Sequence, residues 1–204
     1  MFWYNSIITH GGRMQERESI VLSLLEDRTN DYARKVALGM KTTFGWRELT
    51  YDGLSLMTRR IASYLMNDLE LKRGERLAIL SESKPEYGAC VFASVIAGLV
   101  TVPLDIKLTN YELISILSDC EPSVMLVSQQ YLEKAIELKE AIPSLKYIIV
   151  MDQLPMSNDL PSIYTIPMNF VHKWRHRSRK SIVFIIYTSR TTSLRYAIFS
   201  PDRE

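Results

Sequence analysis

The chain has 204 residues, of which 47% are hydrophobic and 24% charged, and this composition excludes the collagen-like, coiled-coil and disordered classes. A chain of this length can bury roughly 70% of its unfolded surface, enough for one sizeable α/β domain or two small ones. The net charge is only +2, but residues 151–204 carry 8 Lys and Arg against 4 Asp and Glu, whereas residues 1–150 carry 17 against 19. The basic excess therefore lies in the last quarter of the sequence.

The N-terminal residues are apolar, but they lack the basic start and the small-residue cleavage site of a signal peptide. We interpret residues 1–18 as an N-terminal arm and residues 19–204 as the folded unit. Cys90 and Cys120 stand in apolar or helical surroundings without metal-ligand spacing, which is typical of a reducing compartment. We therefore expect a cytoplasmic protein, and we leave open a peripheral attachment to a membrane.

The first predicted elements are two short extended segments and one amphipathic helix. Residues 36–41 and 43–47 flank a turn, and residues 50–67 follow as the helix. One face of this helix carries Leu54, Met57, Ile61 and Leu65. We expect that face to pack on a sheet.

Short apolar runs then alternate with helix-length segments. The runs have the length of buried strands and cover residues 76–81, 99–104, 123–128 and 147–151. The helix-length segments lie at about 85–97, 110–118 and 130–141; Pro85 suits a first helical turn, and Thr109 with Glu112 fits a capping box. The connections are too long for hairpins, so this order favours parallel strands joined by right-handed crossovers. We predict an α/β fold, a doubly wound and mainly parallel sheet with helices on both faces, over residues 36–152.

Residues 87–104 have no charge and reach the lower limit of length for a membrane span. Gly98 divides them into a helix-length half and a β-branched half, so we predict a helix and a strand and no transmembrane segment. Further on, residues 153–167 are rich in Pro, Ser and Asn and predict a loop. Residues 181–186 and 196–200 predict two more strands beside the sheet.

Between these last two strands lies a segment dense in hydroxyl groups, YTSRTTSLRY at residues 187–196. The hydroxyls and backbone N–H groups of such a turn can donate to phosphate oxygens, while a nearby cation offsets the phosphate charge. An ordinary polar turn has the same composition. From the residues alone, both interpretations stand.

The sequence YTSRTTSLRYAIFS resembles the YTSGTTGxPKGV signature of the adenylate-forming, or AMP-binding, enzymes. Further matches follow in order: FGWRELTY at 44–51, LKRGERLAIL at 71–80, IAGLVTVPLD at 96–105 and LTNYELISILSDCEPSVMLV at 108–127. The similarity is strongest to the long-chain fatty acyl-CoA synthetases. It identifies residues 19–204 as a partial adenylation domain that ends just after the phosphate-loop signature.

The resemblance implies which residues would hold ATP. The positions that match the signature, and would contact the phosphates, are Thr188, Ser189, Thr191 and Thr192. Arg190 and Ser193 replace glycines, and Tyr196 replaces the signature lysine. A side chain obstructs the close backbone approach that glycine allows, so we expect a degenerate phosphate loop.

The resemblance also implies a reaction: a carboxylate and ATP, with Mg²⁺, give an acyl-adenylate, which then forms a thioester with coenzyme A. The family's adenine-contacting segment, ribose-binding aspartate, most of the acyl pocket and the C-terminal domain with its catalytic lysine have no counterpart in these 204 residues. We therefore expect a truncated chain that binds ATP weakly, is inactive alone and contains no catalytic residue. The alternative is a non-catalytic remnant or interaction module. Expected partners are fatty acid, CoA, the remainder of such an enzyme, or a second copy held through an exposed sheet edge.

Other sequence signals are weak. Residues 172–180 hold five Lys and Arg and two His, and such a run contacts phosphate backbones or anionic lipid in some proteins but is more often a solvated loop. His172 and His176 have helical metal-pair spacing but no third ligand. We predict no metal site and no specific nucleic-acid partner.

Overall fold

The computed structural model describes residues 20–152, 163–165, 184–188 and 195–199. In chain order, the helices and strands of these residues are α1 (Ile20–Tyr32), β1 (Val36–Thr42), β2 (Gly45–Thr50), α2 (Tyr51–Ser63), a π-helical turn (Tyr64–Asp68), β3 (Arg76–Leu80), α3 (Pro85–Ile96), β4 (Val100–Leu104), α4 (Asn110–Cys120), β5 (Val124–Val127), a 3₁₀ turn (Gln129–Tyr131), α5 (Leu132–Ala141), β6 (Tyr147–Val150), β7 (Ile163–Thr165), β8 (Phe184–Thr188) and β9 (Arg195–Phe199).

The strands form two sheets. The larger has the order β7-β6-β5-β3-β4-β8-β9, and the smaller is the β1–β2 hairpin. Every neighbouring pair in the larger sheet is parallel except β8 and β9. Strands β3 to β7 take the positions of the doubly wound order 2-1-3-4-5, with β3 at the point where the chain reverses direction across the sheet. The predicted α/β fold class is confirmed.

Strands β3, β4, β5 and β6 of the larger sheet are largely buried because helices cover both of their faces. Successive side chains of a strand point to opposite faces, so each strand contributes to two cores. In β3, Leu77 and Ile79 belong to the core that contains α2 and α3 residues, and Ala78 and Leu80 belong to the core that contains α4 and α5 residues. Near-continuous apolar runs are the signature of parallel strands covered in this way.

The predicted helix over residues 50–67 is present, but it has two parts. The hydroxyl of Thr50 accepts a hydrogen bond from the Gly53 N–H at 3.2 Å and so caps the start of α2. The helix ends in the π-helical turn, where the Leu69 N–H donates to the Tyr64 carbonyl at 3.2 Å. Its predicted face is buried at Leu54, Ile61 and Leu65 and half-buried at Met57.

The capping box predicted at the start of α4 is confirmed. The backbone N–H of Glu112 donates to the Thr109 hydroxyl at 3.3 Å, and the Glu112 carboxylate accepts from the Thr109 N–H at 2.8 Å. The Thr109 hydroxyl also donates to this carboxylate at 2.8 Å, and the hydrogen bonds from the Thr109 N–H and hydroxyl lower the pKa of the exposed Glu112 carboxyl. The helix ends at Glu121, which adopts a left-handed conformation with φ 42°.

Two predictions about element placement need correction. Residues 36–50 were expected to belong to the parallel layer, but they form the separate antiparallel hairpin, because its two strands are joined by a tight turn and pair with each other. The expected loop over residues 153–167 contains β7, which pairs with β6 in parallel. The polar residues around β7 favoured a loop, and the three-residue strand is defined only by its pairing with β6.

The uncharged stretch over residues 87–104 forms most of α3, a turn at Gly98 and β4, as the Gly98 break predicted. Gly98 has φ +71°, a conformation that side-chain-bearing residues rarely adopt. Among the helices of the described part of the chain, none is both long enough and apolar enough to cross a membrane.

The cap of α4 gives a direct test of local stability. We expect Thr109→Ala to lower the free energy of unfolding by about 1 kcal/mol, because it removes the side-chain acceptor of the Glu112 N–H. Thr109→Ser keeps the hydroxyl and should retain most of that stability. Urea denaturation of the two variants and the wild type measures the difference; equal losses for Ala and Ser would contradict the role of the cap.

Candidate functional site

The carboxyl ends of the parallel strands meet at one edge of the larger sheet. In doubly wound sheets, ligands bind at this edge, in the crevice where the strand order reverses. Here the edge includes the ends of β3, β4, β5 and β6, and also the end of β8, because β8 runs parallel to β4.

The predicted phosphate loop begins at this edge. Thr188 is the last residue of β8 and pairs with Arg195 of β9, so six residues, 189–194, connect the two antiparallel strands. Tyr196 pairs with Tyr187 and therefore lies within the β8–β9 ladder. Ser189, Arg190, Thr191, Thr192 and Ser193 lie outside the described residues, so their role as phosphate ligands stays a prediction.

A polar cluster that the sequence reading did not identify occupies the ends of β3, β5 and β6. We call it the carboxyl-edge network; its members are Glu82, Lys84, Ser128, Gln130 and Asp152. The Glu82 carboxylate accepts hydrogen bonds from the Ser128 hydroxyl and the Gln130 amide, both at 2.6 Å. The network therefore connects the strands on the two sides of the reversal point.

Lys84 is the buried cation of the carboxyl-edge network, with 2% of its side chain exposed. Its ammonium donates to both carboxylate oxygens of Asp152 at 2.7 Å and lies 3.5 Å from the Glu82 carboxylate. Asp152 also accepts from the Gln129 N–H at 2.6 Å. A buried ammonium is costly unless it is paired, and these carboxylates provide the pairing.

The electrostatics of the carboxyl-edge network do not suit a phosphate. Two carboxylates face one ammonium, so an incoming phosphate would meet a net negative charge. Burial opposes ionisation of Glu82, but hydrogen bonds from Ser128 and Gln130 and the nearby Lys84 outweigh it and lower the pKa of Glu82 below its ordinary value of 4.5. A lowered pKa stabilises the fold at higher pH, and this contribution is lost as the pH falls through the lowered value.

The ends of β4 and β8 lie at the same edge, outside the carboxyl-edge network. Asp105 follows β4 and is exposed, and its carboxylate accepts from the Lys107 N–H at 2.9 Å. The first residue of the predicted phosphate loop, Thr188, follows the neighbouring strand. Along this edge, the carboxyl-edge network lies at the ends of β3, β5 and β6, and the hydroxyl-rich loop starts at the end of β8, beyond β4.

The cysteines provide no reactive group. Cys90 is fully buried, and burial raises the pKa of its thiol to about 12, so it is protonated at neutral pH. Cys120 is also buried. Within the residues that the structure describes, no group of three His, Cys, Asp or Glu side chains could hold a metal ion. His172, His176 and the basic segment around them lie outside the described residues.

Three residues of the carboxyl-edge network could have been found from the sequence, because they are polar residues at the ends of predicted strands. Glu82 and Asp152 each come directly after a predicted strand, and Ser128 is the last residue of another. Polar residues in that position converge once the strands are parallel. Their pairing partners required the strand order, which local patterns do not give.

A model of the AMP-binding enzyme family matches residues 25–195. The chain belongs to the AMP-binding enzyme family. The matched region begins within α1 and ends at the first residue of β9. It therefore includes the whole α/β layer and the hydroxyl-rich loop.

Curated relatives include a long-chain-fatty-acid–CoA ligase and a long-chain fatty acid transport protein. The human long-chain-fatty-acid–CoA ligase ACSBG1 is 28% identical over 136 residues, covering 66% of this chain and 18% of the relative. The mouse long-chain fatty acid transport protein 6 is 27% identical over 210 residues, covering 95% and 32%. The chain thus spans about a fifth to a third of the length of these AMP-binding relatives.

Solved structures support the fold. The anthranilate CoA ligase AuaEII, in complex with anthranoyl-AMP, superposes with a TM-score of 0.72 at 22% identity, over 90% of this chain and 34% of that one. A long-chain-fatty-acid CoA ligase from Rhodopseudomonas palustris, described as putative, also gives a TM-score of 0.72. The identity is 18%, and the superposition covers 90% of this chain and 44% of that one. At these identities, the likeness concerns the fold.

The carboxyl-edge network predicts a selective loss of stability. We expect Asp152→Asn to lower the free energy of unfolding by about 2–3 kcal/mol, because the buried Lys84 ammonium would lose the carboxylate at 2.7 Å and keep only that of Glu82 at 3.5 Å. Asp105→Asn is the matched control, since Asp105 follows β4 as Asp152 follows β6 but is exposed; its effect should be within about 0.5 kcal/mol. Chemical denaturation of both variants measures this, and similar losses would contradict the assignment.

Proposed function

We propose that this chain forms the first part of the adenylation domain of an acyl-CoA ligase, and that the loop after β8 faces the ATP phosphates in the assembled domain. The observation that carries the proposal is the placement of Thr188 at the carboxyl end of β8, parallel to β4. This puts the start of the hydroxyl-rich loop at the sheet edge where doubly wound folds bind nucleotides.

Long-chain fatty acid and CoA are the substrates that we propose for the complete enzyme. The support is the similarity to the ligase ACSBG1 and to the transport protein 6, whose names specify long-chain fatty acids. Chain length and acyl selectivity depend on the acyl pocket of the complete enzyme. The substrate class therefore rests on the relatives.

We propose that the chain alone does not catalyse adenylation. Forming an acyl-adenylate requires the carboxylate and the ATP α-phosphate in line, with positive charge at the developing oxygens, so positioning supplies most of the catalysis. In the described part of the chain, the carboxyl-edge network uses its one buried ammonium to neutralise carboxylates. The same residues provide no magnesium site of their own, so Mg²⁺ would arrive with ATP.

A non-catalytic interaction module is the second candidate. It is favoured by Arg190 and Ser193 at two signature glycine positions and by Tyr196 at the lysine position. It would act through an exposed sheet edge, and β9 and β7 are the outer strands of the larger sheet in the described residues. Unpaired edges of this kind promote pairing with another chain.

Turnover tests the proposed inactivity of the isolated chain. We expect no release of pyrophosphate above background from ATP and a long-chain fatty acid with the purified protein of 204 residues, because the positioning groups named above are not supplied by the described residues. A full-length acyl-CoA ligase in the same assay is the positive control. Sustained fatty-acid-dependent release of pyrophosphate would contradict the proposal.

ATP binding separates the ligase fragment from the interaction module. We expect weak binding by the wild type and at least about tenfold tighter binding by Arg190→Gly/Tyr196→Lys, because the double variant restores backbone approach and one phosphate cation. Titration calorimetry measures both, with Arg203→Gly/Tyr111→Lys as a variant with the same residue changes elsewhere. No gain on restoration, together with concentration-dependent association in light scattering, would favour the interaction module.

A further inference from the structure

The β1–β2 hairpin is fixed at its base and projects from the rest of the molecule. The Tyr51 N–H donates to the Lys35 carbonyl at 3.1 Å, which closes the open end of the hairpin. On the side facing α3, Leu38 packs so closely on Gly88 that a Cβ there would lie 2.6 Å from the Leu38 Cδ1 atom. Arg47 forms an ion pair with Glu86 at the start of α3. The base therefore cannot move without breaking these contacts.

The register of the hairpin divides its side chains between two faces. Lys41 is opposite Trp46, and Gly39 is opposite Glu48, so these pairs share the face that points away from α3. Leu38 is adjacent to Gly39 in sequence, and Arg47 lies between Trp46 and Glu48, so both side chains point to the opposite face, which packs against α3. The contacts of Gly39 agree, since its nearest neighbours include the Trp46 ring at 3.8 Å.

The tip of the hairpin exposes two aromatic rings. Phe44, in the turn, is 100% exposed, and Trp46 is 67% exposed. The sequence of the tip, KTTFGWR at residues 41–47, contains two cations and no carboxylate. Because Arg47 is paired with Glu86, Lys41 is the cation that accompanies the rings on the outer face.

Two backbone groups of the turn, the Phe44 N–H and the Gly45 carbonyl, are paired with the Thr42 side chain. The Thr42 hydroxyl donates to the Gly45 carbonyl at 2.9 Å and accepts from the Phe44 N–H at 3.3 Å. Backbone groups without a partner are what keeps irregular segments out of an apolar medium. These two groups need no water partner when the tip enters the interface, which lowers the cost of insertion.

We propose that the tip of the β1–β2 hairpin is a membrane anchor that inserts Phe44 and Trp46 into the interface of an anionic lipid surface, with Lys41 against the headgroups. Aromatic rings at the boundary and a cation beside them match the chemistry of that interface. The first acid on the outer face, Glu48, lies two residues beyond Trp46, roughly 7 Å along the strand, so it stays on the aqueous side.

A protein partner fits the tip less well. A stable protein interface buries roughly 800 Å² on each partner, whereas two aromatic side chains supply about 150–250 Å² each. A narrow projecting turn offers too little surface for such an interface, but it is sufficient for insertion into lipid. This property is independent of the proposed adenylation chemistry, and its test uses no nucleotide.

Vesicle binding tests the anchor in the full chain of 204 residues. We expect the protein to sediment with vesicles of phosphatidylcholine and phosphatidylserine, more weakly with phosphatidylcholine alone, and less at high salt. Phe44→Ser should weaken binding by about tenfold and Lys41→Gln by about fivefold. Tyr111→Ser is the control: Tyr111 is 84% exposed but lies at the start of α4, against the opposite face of the sheet, and should leave binding unchanged.

Trp46 fluorescence provides a second readout. In a Trp3→Phe/Trp174→Phe background, Trp46 is the only tryptophan, and its emission should shift to the blue and be quenched by brominated lipid when vesicles are added.

Phe44 is fully exposed, so Phe44→Ser should keep the circular dichroism and unfolding midpoint of the parent. Equal vesicle binding by Phe44→Ser and the wild type would overturn the proposal and attribute binding to another segment, such as the basic residues 172–180. Absence of vesicle binding by the wild type, or an unshifted Trp46 emission, would overturn it as well.

Discussion

Burial of β3 on both faces is the constraint on which the rest of the structure depends. Its central residues, Leu77 to Leu80, are fully shielded from water, and β4 and β5 pair with it on its two sides. A parallel strand in that position needs a covering layer on each face, which α2 and α3 provide on one and α4 and α5 on the other. Once β3 is placed, the carboxyl ends of all its parallel neighbours must share one edge.

That edge is divided by charge. The carboxyl-edge network ties together the ends of β3, β5 and β6 and satisfies a buried ammonium with two carboxylates. The other side of the edge is formed by the ends of β4 and β8, which take no part in this network. The separation is a consequence of strand order: the residues concerned lie up to 70 positions apart in sequence but at the ends of adjacent strands.

The fold class and most of the elements could be predicted from the sequence because their signals are local. The four apolar runs, the Pro85 helix start and the Thr109–Glu112 capping box each involve a few neighbouring residues and are present as expected. Strand β7 and the pairing of Lys84 with Asp152 could not be predicted, since both depend on contacts across long separations. The separate hairpin was missed for a related reason: its turn is local, but its exclusion from the larger sheet is a property of the whole fold.

The π-helical turn after α2 has a consequence for how the chain length can vary. A π turn accommodates one more residue than an α turn, and here it buries three successive side chains, Tyr64, Leu65 and Met66. Deleting Asn67 or Asp68, which are both exposed, would convert the turn to α-helix while leaving the apolar register of α2 before it and of β3 after it in place. Elsewhere in this layer, a one-residue deletion would rotate a helix face or invert a strand. The π-helical turn is therefore a place where the chain can lose one residue while the apolar core keeps its packing.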